Sequence, residues 1–191
     1  MNWVVFLLVS WVTLGLELGL RPSIQLSDTG MAPSFALILV AYIALTAPRV
    51  TALWAAMLIG IVLDLTSERL SSSGMSTLTI VGPTALGCML GASAITNLRA
   101  MVYRRSPITM LMLATLLSVI VQIVVVACLA ARSWWDPALV FHARPEFAAR
   151  LGSAAYTGVA ALVVGPVLNF LTPLFGFIGM HQPRGGSASR W

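Results

Sequence analysis

Apolar segments separated by short polar breaks run along the whole chain. A helix needs about 20 predominantly apolar residues to cross the hydrocarbon core of a bilayer. The pattern predicts six spanning helices, at 3–20, 31–46, 50–65, 77–96, 108–131 and 152–178. The predicted fold class is therefore all-α, a polytopic membrane helix bundle that forms a single domain over residues 1–178.

The composition supports a membrane protein and excludes a soluble one. Of the 191 residues, 59% are hydrophobic and only 9% are charged, whereas soluble domains average about 25% charged residues. The net charge is +5, and all 11 basic residues are arginines scattered between apolar segments. Their densest group is Arg99, Arg104 and Arg105, which we interpret as a cytoplasmic anchor at the lipid headgroups rather than a nucleic-acid contact.

The segments 31–46 and 50–65 are short, and only the turn at Pro48 and Arg49 separates them. Two short helices joined this closely are expected to form an antiparallel hairpin, with local thinning of the bilayer. A re-entrant hairpin that enters and leaves on the same side is the alternative geometry.

The arginines also predict an orientation. With the N-terminus inside, the cytoplasmic set is Arg49, Arg99, Arg104, Arg105, Arg184 and Arg190, and the outer set is Arg21, Arg69, Arg132, Arg144 and Arg150. The inner set contains the cluster, so the positive-inside rule favours cytoplasmic N- and C-termini. Residues 179–191 are Gly/Ser-rich and are expected to be a flexible cytoplasmic tail. The outer stretch 132–151 is either an interfacial connector or a docking loop.

The sequence offers no catalytic set. Both histidines, His142 and His181, lie outside the predicted spans, and no nucleophile or metal-binding motif accompanies them. Cys88 and Cys128 lie in separate apolar segments without metal-ligand spacing, so we interpret them as packing residues. We predict a protein that is not an enzyme and has no metal or cofactor.

Two pairs of glycines carry the spacing of a helix-packing motif. Gly15 and Gly19 are four residues apart in the first span, and Gly87 and Gly91 repeat that spacing in the fourth. In lipid, helices gain most from close backbone approach at such small-residue faces. Both pairs are predicted to pack helices, either within the chain or against a partner subunit.

Two acidic residues lie near the outer ends of their spans. Asp64 ends the third span and Glu17 occupies the matching position in the first. Gly60 precedes Asp64 by one helical turn on the same face, which would allow a neighbouring backbone to come close. Arg21 and Arg69 lie at the same boundary. We consider three roles for the carboxylates: an ion pair that locks helix ends, a recognition site, or simple hydration.

Residues 33–80 resemble the bacterial rod shape-determining MreD family. The stretch "PSFALILVAYIALTAPRVTALWAAMLIGIVLDLTS" carries the resemblance, and "GMSTL" extends it. The positions that match are Pro33 opening the second helix, the turn at Pro48 and Arg49, the glycine-aspartate pair Gly60 and Asp64, and the later Gly74. The chain departs from the family pattern at Ser34, where an acidic residue is common.

The resemblance implies a non-enzymatic scaffold of the cell-wall elongation machinery in the bacterial inner membrane. Its implied partners are an MreC-like bitopic protein, an MreB-like actin homologue, and the elongation glycosyltransferase and transpeptidase. The family is also distantly similar to substrate-binding subunits of energy-coupling-factor vitamin transporters. A transport subunit that binds a small molecule between its helices is therefore the alternative function.

Overall fold

Helices account for most of the residues described in this computed structural model, which are 2–26, 31–67, 69–70, 77–78, 81–100, 106–134 and 143–175. Within these residues the helices are α1 (Trp3–Ile24), α2 (Phe35–Thr46), α3 (Arg49–Thr66), α4 (Pro83–Leu98), α5 (Pro107–Ser133) and α6 (Ala143–Phe170). Two short strands, β1 (Arg69–Leu70) and β2 (Thr77–Leu78), form an antiparallel pair between α3 and α4.

Among the residues that the structure describes, four helical segments are long and apolar enough to cross a membrane. They are Trp3–Arg21, Arg49–Thr66, Pro107–Ser133 and Phe147–Phe170. Helices α2 and α4 are shorter, at 12 and 16 residues. The prediction of an all-α membrane helix bundle is confirmed.

Three predicted helix starts are wrong. The second helix begins at Phe35 rather than at residue 31. The fourth helix begins at Pro83 rather than at residue 77, because Thr77–Leu78 pairs with β1 instead. The sixth helix begins at Ala143 rather than at residue 152, so the second half of the predicted outer stretch 132–151 is helical. The new start places Pro145 in the first turn of α6. Proline is tolerated in a first turn because the backbone N–H groups there have no acceptor within the helix, so the missing N–H costs no hydrogen bond. The predicted domain end at 178 and the tail 179–191 lie outside the described residues.

Helix α2 lies at the centre of the bundle. Every side chain from Ala36 to Leu45 is buried, and α2 packs against each of the other five helices. An all-apolar helix is expected to be buried on every side. Its 12 residues span only about 18 Å at 1.5 Å per residue, well short of a ~30 Å hydrocarbon layer. The two ends of α2 therefore cannot both reach the headgroups, and an end that lies below the surface needs polar partners within the bundle.

Helix α1 lies at the edge of the bundle and packs mainly against α2. One face is buried and carries Phe6, Ser10, Thr13 and Glu17. The opposite face is open, and Trp11 is 82% exposed on it. An apolar face without a protein neighbour is normal for a helix that contacts lipid or a partner helix.

The two glycine pairs have different surroundings. A Cβ atom at Gly87 would lie 2.9 Å from the Val121 Cα, and one at Gly91 would lie 3.1 Å from the Leu117 side chain. This pair packs α4 closely against α5. Around Gly15 and Gly19 no atom lies within 4 Å of the added Cβ, so the expectation of packing within the chain is wrong for the described residues. The edge position of α1 leaves its glycines without a neighbour.

We predict that Gly87→Leu destabilises the bundle whereas Gly15→Leu does not. The new side chain at position 87 would overlap the α5 backbone, and overpacking of this kind costs about 1–3 kcal/mol. Thermal unfolding of both purified variants in mild detergent, followed by circular dichroism, measures the difference. Equal unfolding midpoints would contradict the close packing of α4 on α5.

Candidate functional site

Asp64 lies in the last turn of α3, and its carboxylate accepts hydrogen bonds from the start of α4. The Gly82 N–H donates to it at 2.8 Å, the Thr84 N–H lies 3.2 Å from both carboxylate oxygens, and the Ala85 N–H donates at 3.3 Å. The first N–H groups of a helix have no partners within the helix. Gly82, the N-cap residue of α4, has no side chain that could bond to them. Asp64 therefore caps α4 from a neighbouring helix.

Gly60 provides the space for this contact. A Cβ atom there would lie 2.5 Å from the Ala85 Cα and 2.9 Å from the Ala85 N. Residues four apart lie on the same face of a helix. The glycine thus admits the first turn of α4, and the aspartate one turn later accepts its N–H groups.

Glu17 plays the same part between α1 and α2. Its carboxylate is 6% exposed and accepts the Ala36 N–H at 3.0 Å. The Ser34 side chain caps the same helix by accepting the Leu37 N–H at 3.4 Å. The Ser34 N–H donates in turn to the Thr157 hydroxyl of α6 at 3.0 Å. The start of the central helix is therefore held by α1, by its own N-cap residue and by α6.

Both carboxylates follow one rule: each lies near the end of a helix and caps the next helix along the chain. The separations are 19 residues for Glu17 and 18 to 21 residues for Asp64. A negative charge at a helix N-terminus is favoured by the helix dipole. Backbone hydrogen bonds also compensate a carboxylate that is hidden from water, and Asp64 is only 3% exposed.

These contacts bear on two of the three roles considered for the carboxylates, hydration and a lock at the helix ends. Simple hydration is wrong, since both side chains are buried. A lock at the helix ends is present, but the described hydrogen bonds come from backbone N–H groups and not from arginine. Arg21 lies close enough to Glu17 for electrostatic attraction. The side chain of Arg69 and the whole of Gly74 lie outside the described residues.

Arginines act at the opposite end of α2 and α4. Arg99, just after α4, donates to the Ala47 carbonyl at the C-terminal end of α2. Arg49 at the start of α3 lies 3.5 Å from the Ser93 hydroxyl of α4. A cation near the last carbonyls of a helix is favoured by the dipole. The sequence predicted only a lipid anchor at Arg99 and not its hydrogen bond to α2. The other two arginines of that cluster, Arg104 and Arg105, lie outside the described residues.

A polar cavity of about 310 Å³ lies beside the N-termini of α2 and α4. The polar side chains that line it include Glu17, Arg21, Ser34, Gln122, Arg150 and Thr157. Arg150 of α6 donates to the Gln122 side chain of α5 at 2.8 Å, and this hydrogen bond joins the two helices.

Sequence reasoning missed Arg150 and Thr157 as members of this cavity. Arg150 was placed in an outer stretch that proves to be the start of α6. The only available signal was that an arginine and two hydroxyl residues, Ser153 and Thr157, recur at helical spacing. The described residues hold no group of three or more histidine, cysteine or acidic side chains arranged for a metal ion.

Comparisons with protein-family models, with curated proteins and with solved structures find no match for the chain. The assignment of a function therefore depends on the residues and on the geometry described above.

We predict that Asp64→Ala destabilises the bundle by about 2 kcal/mol, the range for losing charged hydrogen bonds and an N-cap. Asp64→Asn should have a smaller effect, since the amide oxygen still accepts. Denaturant unfolding in mixed micelles measures both variants. Leu65→Ala, at an exposed neighbouring position, is the matched control. Equal stability of the Asp64→Ala and Leu65→Ala variants would show that the carboxylate does not hold α4.

Proposed function

We propose that this chain is a membrane scaffold of the bacterial cell-wall elongation machinery, similar to MreD. The observation that carries the proposal is the open face of α1. The residues on this face, spaced three or four apart, are Val4, Leu8, Trp11, Val12, Gly15 and Gly19, and the large hydrophobic ones among them are exposed. Glycines between large apolar side chains favour close approach of another helix in the membrane.

The role of the Gly60–Asp64 pair supports the same proposal. This pair is the centre of the resemblance to the MreD family. In this chain it seats α4 on α3 through one close backbone contact and the Asp64 hydrogen bonds. In this arrangement the Asp64 carboxylate is engaged in helix packing, as expected of a scaffold.

We propose that the α1 face holds the single transmembrane helix of an MreC-like bitopic protein. That protein would link the bundle to an MreB-like actin homologue and to the elongation glycosyltransferase and transpeptidase. The proposed location is the bacterial inner membrane, with six spans and with both termini in the cytoplasm.

For the docking face, we predict that Gly15→Leu abolishes recovery of the bitopic partner while the bundle still folds. The added side chain has free space within the chain but would keep a partner helix from the α1 backbone. Affinity purification from cells that produce both proteins, in mild detergent, measures the recovery. Val163→Phe enlarges an exposed side chain on α6 and should leave recovery unchanged. Full recovery with Gly15→Leu would exclude this face as the docking site.

For the orientation, we predict that reporter fusions after residues 100 and 180 are active only as cytoplasmic reporters. Fusions after residue 68 should be active only as periplasmic ones, because α3 is expected to end at the outer surface. Paired phosphatase and fluorescent-protein fusions provide both readouts. A periplasmic signal at residue 100 would reverse the orientation.

The second candidate function is a substrate-binding subunit of a small-molecule transporter. The polar cavity favours it, because pockets for small molecules have volumes of about 300–1,000 Å³ and a few convergent polar groups. Purification together with ATPase subunits, without a bitopic partner, would favour this candidate over the scaffold.

A further inference from the structure

We propose that a groove between α3 and α4 binds one anionic phospholipid, with an acyl chain in the groove and the headgroup phosphate at Arg49. This α3–α4 groove has a volume of about 260 Å³. Only apolar side chains line it, namely Val50, Leu53, Trp54 and Met57 of α3 and Met89 of α4. The groove is formed by helices other than α1, so the proposal is independent of the scaffold role.

The groove follows one face of α3, a helix that is long and apolar enough to cross the membrane. Its four α3 residues are spaced three or four apart, so they lie on one side of the helix. Val50 and Trp54 are 66% and 55% exposed. From Val50 to Met57 the helix rises about 10 Å at 1.5 Å per residue, and one leaflet contributes about 15 Å of hydrocarbon. An acyl chain of that leaflet can therefore lie along the groove.

The side chains of the groove favour an acyl chain over a protein helix. Transmembrane helices pack closely where small residues let their backbones approach, whereas the groove is lined by large side chains. A flexible acyl chain can lie between such side chains. The thioether side chains of Met57 and Met89 adapt well to an apolar ligand of irregular shape. The occupant is therefore a lipid of the surrounding bilayer.

Arg49 lies at one end of the groove. It is the first residue of α3, directly before Val50, and it is exposed. Its guanidinium reaches across to α4 and lies 3.5 Å from the Ser93 hydroxyl. Ser93 follows Met89 by one helical turn on the same face of α4. The guanidinium therefore bridges the two walls of the groove at the end of the span, where a lipid headgroup would lie.

The charges at this end of α3 and α4 have one sign. The turn between α2 and α3 contains Arg49, and the connection from α4 to α5 contains Arg99, Arg104 and Arg105. No acidic residue occurs in the sequence between positions 29 and 63 or between positions 69 and 135. Neither connection can therefore neutralise its arginines with a carboxylate of its own. The balance of charge favours a lipid with an anionic headgroup over a zwitterionic one.

Arg49 has N–H groups left for a phosphate, whereas Arg99 is engaged with the Ala47 carbonyl. In the part of the chain that the structure describes, the contact with Ser93 is the one hydrogen bond of the Arg49 side chain. Its length of 3.5 Å is at the weak limit of hydrogen-bond geometry. A guanidinium carries five N–H groups in a planar fork that matches two phosphate oxygens. Arg49 can therefore bind a phosphate without giving up a contact that holds the bundle.

The test uses the full chain in mild detergent, titrated with phosphatidylglycerol or with phosphatidylcholine that carries the same acyl chains. Native mass spectrometry measures the affinity for the first bound lipid. Phosphatidylglycerol should bind more tightly than phosphatidylcholine by about fivefold or more. Arg49→Gln should reduce the affinity for phosphatidylglycerol to that for phosphatidylcholine. Arg21→Gln removes the same charge near the C-terminal end of α1, at the opposite end of the bundle, and should preserve the preference.

Variants that fill the groove test the position of the acyl chain. Met57→Trp and Val50→Trp enlarge two lining residues without changing charge, and each should abolish saturable binding of both lipids. Leu58→Trp enlarges an exposed neighbour that does not line the groove and should bind as the unaltered chain does. Circular dichroism verifies that each variant is folded, and the exposed position of Val50 makes its variant the safer of the two.

Three results would overturn the proposal. The first is equal affinity of the unaltered chain for the two lipids. The second is an equal loss of phosphatidylglycerol binding in Arg49→Gln and Arg21→Gln. The third is unchanged lipid binding in a folded groove-filling variant.

Discussion

Helix ends inside a bilayer need partners, because hydrocarbon cannot hydrogen bond to the free N–H and C=O groups that every helix leaves at its termini. Helix α2 is too short to bring both of its ends to the membrane surface, and the N-cap residue of α4, Gly82, has no side chain that could cap the helix. Charged residues on or next to neighbouring helices satisfy the free backbone groups at these helix ends. Glu17 and Asp64 accept at the N-termini, and Arg99 donates at the end of α2.

This arrangement explains the order of packing in the bundle. Each acidic residue joins its own helix to the next one, so α1 is tied to α2 and α3 to α4. The close contacts of Gly60 and Gly87 then bring α4 against α3 on one side and α5 on the other. The central helix is enclosed as a consequence, while α1 remains at the edge with an open face.

Besides the α3–α4 groove, two separate surfaces stay uncovered in the part of the chain that the structure describes. A polar cavity lies beside the N-termini of α2 and α4, and the edge helix α1 has an open apolar face along its length. Small residues between large apolar ones on this face favour close approach of another helix, which is what the proposed scaffold role requires. The cavity is lined by polar and charged side chains, among them Glu17, Arg21 and Arg150.

The sequence by itself determined the helices and the face shared by Gly60 and Asp64, since apolar length and helical spacing are local properties. It could not identify the backbone N–H groups that donate to Asp64 and Glu17. Every residue except proline has such a group, so no residue type indicates which ones the fold brings next to these carboxylates. The glycine pairs also show what the sequence cannot decide. Gly15 and Gly19 have the spacing of Gly87 and Gly91, yet only the second pair is packed within the chain. A small residue permits close approach, and the tertiary arrangement decides whether a neighbour is present.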